Sequence, residues 1–318
     1  MDPSAQIVNV LQAATVLLLA PLIAGISARG KAWTESRRGP SIFQPYRDLR
    51  KLLRKETLRP IGSSIVFVLP LFVAFGTYLV IAIIVPVITA YPLPYGSAAD
   101  FLGGGLLFGL AGTVALLAAL DSGSNYAALG ASRTVSFAAF AEPTLIVVFF
   151  AVAVITGTNN PYVTTDLLAG STATYLAPTH LLVTAAFLLL LLAETGKLPV
   201  ESAGLMELGM LEEGRAFEHS GRLLALFRWN GWMKQFLLYA VFLNVFLLPW
   251  GFVPGPTVLA AVANIGVLLA KQVALVGGLV LLEATLAKVR LFKIQDFLAV
   301  SFSLAILSVF VFVALGVP

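Results

Sequence analysis

Eight apolar runs divide this chain, and each is long enough to cross roughly 30 Å of hydrocarbon as a helix. They fall at Ile7–Ile26, Ile65–Thr89, Phe101–Leu120, Val135–Ile155, Leu176–Ala193, Met233–Trp250, Thr257–Leu282 and Phe297–Val317. None alternates apolar and polar residues as a membrane barrel strand must, and lipid leaves helices as the other way to satisfy every backbone group. The pattern predicts an all-α, polytopic integral membrane protein of about eight transmembrane helices, one domain over residues 1–318. With 59% hydrophobic and 11% charged residues, the chain does not match a soluble enzyme. The first run has no basic leader and further spans follow it, so it is expected to be a retained helix rather than a cleaved signal.

The cations set an orientation. Ten of the 20 Lys and Arg lie between the first and second runs, in a loop over residues 28–63. Arg133 follows in the third connection. Lys197, Arg215, Arg222, Arg228 and Lys234 lie in or beside the fifth, over residues 194–231, and Lys288, Arg290 and Lys293 lie in the seventh. The even-numbered connections, such as 91–100 and 156–177, carry no Lys or Arg and are rich in Pro, Gly, Ser and Thr, a composition of turns. By the positive-inside rule, the odd-numbered loops face the cytoplasm and both termini face the outer, periplasmic side of a cell inner membrane.

There is no Cys, and the two His are His180 and His219. Thiolate-held iron–sulfur clusters are thereby excluded from this chain's own side chains, as in practice are haem or zinc centres. His219 has Glu218 and Ser220 beside it, but the trio lacks the further signature of a hydrolase. The glycines from Gly103 to Gly112 fit close helix packing rather than a phosphate loop.

Charges inside the apolar runs are the candidates for chemistry, because an ionisable group in hydrocarbon requires a partner or water. Glu142 lies about two turns into the fourth run, next to Pro143, whose missing N–H opens the helix there. Lys271 sits mid-way in the seventh run and calls for a carboxylate or water partner within the protein. Glu283 ends the same run, about 18 Å further along the helix. Glu194 directly follows the apolar stretch 187–193, and the loop beyond it carries Glu201, Glu207, Glu212, Glu213 and Glu218 among Leu, Met, Ala and Gly. That loop reads either as a solvated helical hairpin or as a set of proton-relay carboxylates. In the first loop, Pro45 can start a short helix through Glu56 with Leu49, Leu52 and Leu53 on one stripe. Such a helix suits anionic headgroups, a docked protein, or both. Asp100, Asp121 and Asp296, at run ends, suit interfacial caps.

The run from Ser36 to Leu52 resembles the first cytoplasmic loop of the membrane anchor subunits shared by complex I and the energy-converting (group 4) [NiFe]-hydrogenases. Residues 193–201 with 218–221, Ala141-Glu142-Pro143 and residues 283–292 are similar to further segments of that family. The contracted segment 39–45, and Gly196-Lys197-Leu198-Pro199-Val200-Glu201 in place of Asn-Arg-Ala-Pro-Phe-Asp, depart from the quinone-reactive complex I pattern and lie nearer the formate hydrogenlyase type. The resemblance implies a membrane subunit of a formate-hydrogenlyase-like complex that anchors a soluble redox arm. Its alternatives are a quinone-binding complex I subunit or, outside the family, a stand-alone transporter. It implies partners: [NiFe]-hydrogenase-like large and small subunits, iron–sulfur subunits and antiporter-like membrane subunits, with the [NiFe] centre and clusters held by those partners. No cofactor is expected in this chain, no nucleic acid, and membrane lipids all round. Carried over by position, Glu142, Glu194, Glu201, Glu207 and Glu218, with Lys271 and Glu283, would form a proton or Na⁺ path. Arg37, Arg38, Gln44, Pro45, Arg47 and Asp48 would form the docking loop.

Overall fold

The computed structural model describes residues 3–197, 214–255, 257–285 and 293–315. Among them every regular element is helical. The α-helices are α1 (Pro3–Thr34), α2 (Gln44–Arg54), α3 (Leu69–Ile84), α4 (Phe101–Leu120), α5 (Asn125–Thr156), α6 (Pro161–Gly170), α7 (Thr172–Tyr175), α8 (Pro178–Glu194), α9 (Gly221–Val241), α10 (Val258–Thr285) and α11 (Lys293–Leu315). Six of these, α1, α3, α4, α5, α10 and α11, are long and apolar enough to cross a membrane. For α3 that stretch includes the short 3-10 turn Ile65–Phe67 before it. The fifth apolar run forms the shorter α8, and the sixth forms the end of α9 with a π-helical extension, Phe242–Leu247.

Several helices outrun the apolar stretches that predict them. Helix α1 continues to Thr34, so Arg29 and Lys31 are helical rather than part of a loop. Helix α5 begins at Asn125 and α9 at Gly221, well before their apolar runs. Hydropathy marks the part of a helix suited to lipid; polar residues end that stretch without ending the helix. The connection 156–177, expected to be turns, holds α6 and α7. Asn160 caps α6 by accepting from the Tyr162 and Val163 N–H groups (2.9 and 3.5 Å), with Pro161 pre-set at the first helical position.

Neighbouring helices run α10–α1–α9–α3–α4–α5, with α8 and α11 packed on each other and on α5. The centre is aromatic: Phe187 meets Phe149, Phe242 and Phe246 edge-to-face, with centroids 4.8–5.7 Å apart.

Two breaks in regular backbone are repaired by side chains. Pro21 deprives the Leu17 carbonyl of its helical donor, and the Trp229 indole N–H from α9 donates to it instead (3.1 Å). The Tyr46 hydroxyl of α2 donates to the neighbouring Leu18 carbonyl. The kink of α1 is thus pinned to both helices. The second apolar run stops being helical at Ile84, just ahead of Pro86, and its irregular backbone stays buried. Gln12 donates to the Ala82 and Val85 carbonyls (2.9 and 2.8 Å) and accepts from the Val87 and Ile88 N–H groups (3.3 Å each). Asn244 donates to the Pro86 and Val87 carbonyls (3.0 and 2.9 Å). Non-helical backbone in a membrane protein survives where protein groups satisfy it in this way.

Candidate functional site

Charged side chains gather where α8, α9, α5 and α4 meet. Glu194, the last residue of α8, accepts a hydrogen bond from the Lys234 ammonium of α9. The carboxylate is 14% exposed and the lysine 29%. Lys234 lies roughly 20 Å along α9 from Gly221 at about 1.5 Å per residue, so the end of α8 stops about two-thirds of the way along its neighbour. The sequence placed Lys234 at the edge of the fifth loop and the start of the sixth run; it is a helical residue paired inside the bundle.

Glu142, on α5, is half-buried and lies in the field of both Glu194 and Lys234. Its carboxylate rests against the glycine face of α4: Cβ positions built on Gly109 and Gly112 lie 3.3 and 3.6 Å from its oxygens. Those glycines therefore provide room for a carboxylate as well as for helix packing. Pro143 lies within continuous α5 and leaves the Ala139 carbonyl without its helical donor. Tyr78, buried on α3, shares the field of Glu142, Glu194 and Lys234. On the other side, the Tyr239 hydroxyl contacts the Thr195 side chain, receives the Gln235 amide (2.9 Å) and feels the charge of Glu283. Tyr78, Thr195, Lys234, Gln235 and Tyr239 were not singled out from the sequence as members of this polar set. Uncharged or at a run's edge, they carried no signal until the helices were assembled.

Glu283, near the end of α10, pairs with Lys31 of α1 and is 10% exposed; its second oxygen is buried without a partner among the described residues. Lys271 is on the same helix but belongs to another site. It donates to the Leu248 carbonyl at the end of the π segment (2.7 Å) and lies 4.2 Å from the centre of the Phe252 ring. Among the described residues its partners are a main-chain carbonyl and an aromatic face, where a carboxylate or water was expected. Glu201 and Glu207 lie outside the described residues. Glu218 is half-buried in the turn before α9.

The basic loop folds back on α1. The Gln44 amide donates to Asp48 (2.9 Å), Arg47 donates to the Ser41 hydroxyl (3.0 Å), and Arg37 pairs with Glu35. Pro45 is buried at the start of α2, and Arg38 is exposed. The expected helix from Pro45 is present and ends at Arg54. Gly39 sits against α1, with a Cβ built on it 2.8 Å from the Ala32 methyl. The segment after α2 binds the turn before α9: Ser220 accepts from the Leu58 N–H (2.8 Å), and the Thr57 hydroxyl accepts from the Arg222 N–H (3.3 Å). Lys197 reaches Ser27 on α1 (2.6 Å). The fold therefore brings the basic loop, Glu218 and Glu283 to one end of the bundle, with Glu194 set deeper beside Lys234. Asp100 caps α4 through the Leu102 and Gly103 N–H groups (3.1 Å each), whereas Asp121 accepts from the Ser64 N–H and hydroxyl (2.7 and 2.9 Å).

At that end His219 is 3% exposed, its ring tilted against those of Phe67 and Phe227 with centroids 4.5 and 5.7 Å away, and neither ring nitrogen has a partner among the described residues. Burial holds its pKa down from 6.5 to about 4. The unfolded chain takes up this proton first, so the stability contributed by neutral His219 is complete above pH 6.5 and is lost as pH falls toward 4. The loss amounts to about 3 kcal/mol. In melting curves at pH 7.5 and 4.5, a His219→Leu variant is expected to be less acid-sensitive than the native chain. Equal sensitivity would remove His219 as the cause.

A family model described as NADH dehydrogenase matches residues 6–314. Hydrogenase-4 component C of Escherichia coli (strain K12) is 33% identical over 304 residues, covering 93% of this chain and 92% of the relative. Formate hydrogenlyase subunit 4 of the same organism is 33% identical over 286 residues, covering 88% and 90%. NADH-ubiquinone oxidoreductase chain 1 of Monodelphis domestica is 29% identical over 198 residues, covering 58% and 59%. The fold also matches a chain in the structure of a membrane-bound sulfane sulfur reductase, an archaeal respiratory membrane complex. The TM-score is 0.78 at 21% identity, covering 96% of this chain and 98% of the other.

Proposed function

Because the chain belongs to the NADH dehydrogenase family of complex I subunit 1-like membrane proteins, we propose that it is the membrane anchor of an energy-converting, formate-hydrogenlyase-like [NiFe]-hydrogenase complex. In this reading the odd-numbered loops are cytoplasmic. The end of the bundle that carries the basic loop seats the soluble arm, whose subunits hold the [NiFe] and iron–sulfur centres. Antiporter-like membrane subunits adjoin the bundle. The chain conducts H⁺ or Na⁺ through carboxylates and contributes no redox centre.

The observation that carries this reading is the Glu194–Lys234 pair beside Glu142, buried in the bundle, with Lys197 bound to Ser27 just beyond α8 and Glu283 paired with Lys31 nearer the docking end. A charge shift at the docked arm would change the field on Glu194, and through it on Glu142, without an electron entering the membrane. Moving one charge across about 100 mV costs roughly 2.3 kcal/mol, within reach of such a coupling. Two hydrogenase subunits similar to this chain along nearly its full length favour the hydrogenase arm over an NADH-oxidising one.

The test is a mild-detergent pull-down of the tagged chain from its native membranes, read by mass spectrometry and a hydrogen-evolution assay. Recovery of a nickel-bearing large subunit with hydrogenase activity is expected. An NADH- or quinone-linked arm would move the chain to complex I, and the folded chain alone would make it a transporter. In reconstituted complexes, Glu142→Gln and Glu194→Gln are expected to lower ion movement per turnover about tenfold while hydrogen evolution persists. Unchanged coupling in both would leave a scaffold without an ion path.

A further inference from the structure

Of the two histidines, His219 lies at the docking end and His180 at the other, as the third residue of α8. His180 is 1% exposed, and its Nδ1 lies 2.9 Å from the Tyr175 carbonyl. A carbonyl only accepts, so Nδ1 carries the hydrogen and Nε2 presents a lone pair. That nitrogen is buried without a partner among the described residues, and so is the Thr184 hydroxyl, one turn along the same face of α8. The Thr179 hydroxyl is a third such group. Each buried polar atom left unbonded costs about 1–3 kcal/mol, so the cluster calls for a hydrogen-bonding guest.

The cluster lies one layer of rings below the surface. Tyr175 is centred 5.2 Å from the His180 ring and 4.5 Å from Trp250, which is 40% exposed. Both covering rings are tied down, the Tyr175 hydroxyl to the Leu247 carbonyl (2.6 Å) and the Trp250 N–H to the Ala169 carbonyl (2.9 Å). Inward along α8, Phe187 of the aromatic centre lies about 10 Å from His180, and Glu194 about 21 Å. Of the elements packed on α8, α7 faces the ring with Tyr175, and the π segment carries no titratable group. On α9 the nearest charge is Lys234, paired with Glu194. On α5 it is Glu142, in the field of that same pair. Helix α11 runs antiparallel to α8, with Ser308 bonded to the Thr179 carbonyl and Ser301 to that of Ala186, so Asp296 also lies toward the Glu194 end.

We propose that His180 is a proton-exchange site facing the side of the membrane away from the basic loop, with one water bridging Nε2 and the Thr184 hydroxyl. The site assigns H⁺ to the ion path of the proposed function and gives that path its outer end, and to that extent it rests on that reading. The bridging water takes a proton from the outer solvent and passes one to Nε2. The imidazolium so formed keeps its Nδ1–H on the Tyr175 carbonyl, and release by the reverse route restores the neutral ring. Imidazole is the side chain whose ordinary titration range makes both directions accessible near neutral pH. Phe187 and its aromatic neighbours stand between His180 and Glu194, so the two groups exchange protons with opposite sides and leave no continuous leak.

The test begins with nuclear magnetic resonance of the full chain in lipid bilayers, ¹⁵N-labelled at histidine. With two histidines in the chain, His219→Leu identifies the His180 signals. A neutral ring protonated at Nδ1 is expected, with Nε2 in contact with water and converting to imidazolium as the pH is lowered. Thr184→Val, which removes the hydroxyl, is expected to weaken the water contact. In reconstituted complexes, His180→Gln is expected to lower proton movement per turnover about tenfold. Should that variant fail to fold, Thr184→Val reads the same water through a shifted pH profile of proton movement. A dry Nε2, or a ring that stays neutral at every pH where the chain is folded, would overturn the assignment. Full proton movement in His180→Gln beside a loss in Glu142→Gln would keep the ion path and sink His180 as its outer end. Full movement in both would remove the ion path itself, and this assignment with it.

Discussion

Gly25→Ala is expected to detach the basic loop from the bundle while leaving α1 helical. A methyl group on Gly25 would fall inside the contact radius of the Ile42 carbonyl oxygen, 2.9 Å from its carbon and 3.2 Å from Cδ of Pro45. The obstacle is backbone on one side and a proline ring on the other, so no side-chain rotation relieves it. Within α1 alone the change is favourable by about 1 kcal/mol, since alanine is the better helix former. Overpacking against the loop opposes this with about 1–3 kcal/mol, and the loop is the part free to move. Gly231→Ala is the control, because a Cβ there meets nothing within 4 Å. Trypsin cleavage at Arg37 and Arg38, with recovery of soluble partners in a pull-down, gives the readout. Faster cleavage and loss of partners in Gly25→Ala alone are expected. If both variants resist trypsin and hold partners equally, the loop is not seated through this contact.

Removing Lys234 is expected to destabilise the bundle more than removing both members of its pair. Lys234→Met leaves the Glu194 carboxylate, 14% exposed, without the ammonium that compensates its burial. Breaking a buried pair from one side costs about 3–5 kcal/mol. The 29% exposure of Lys234 places the expected loss at about 3 kcal/mol. Lys234→Met/Glu194→Leu removes the charge together with its partner and is expected to recover much of that loss. Detergent-resistance melting of the two single variants and the double variant closes the cycle. Additive losses would show that the two groups are independently solvated, and the coupling through Glu194 would lose its basis.

Both predictions depend on what the sequence left unseen. The apolar runs located the long helices, and the Lys and Arg bias separated one set of loops from the other. The helix from Pro45 and the Asp100 cap were legible because both depend on neighbours in sequence. Glu142 stood out as a carboxylate in hydrocarbon, but its resting place did not. Gly109 and Gly112 looked like packing glycines, and only the approach of α5 to α4 shows the carboxylate that they accommodate. Lys271 was expected to find a carboxylate or water. The π segment leaves the Leu248 carbonyl within its reach, a consequence of backbone geometry that no residue pattern announces.

A helical membrane protein with a basic, family-typical loop is already written in the residue order, because hydrocarbon admits few ways of satisfying a backbone and apolar length is read residue by residue. Tertiary structure alone decided which charges meet. Glu194 and Lys234 are 40 residues apart, and Lys31 and Glu283 are 252 apart. Gln12 and Asn244, on helices far apart in the chain, converge on the same irregular turn after α3. Such pairings follow from the order in which helices pack, and that order is set by side-chain shape across interfaces rather than by local pattern.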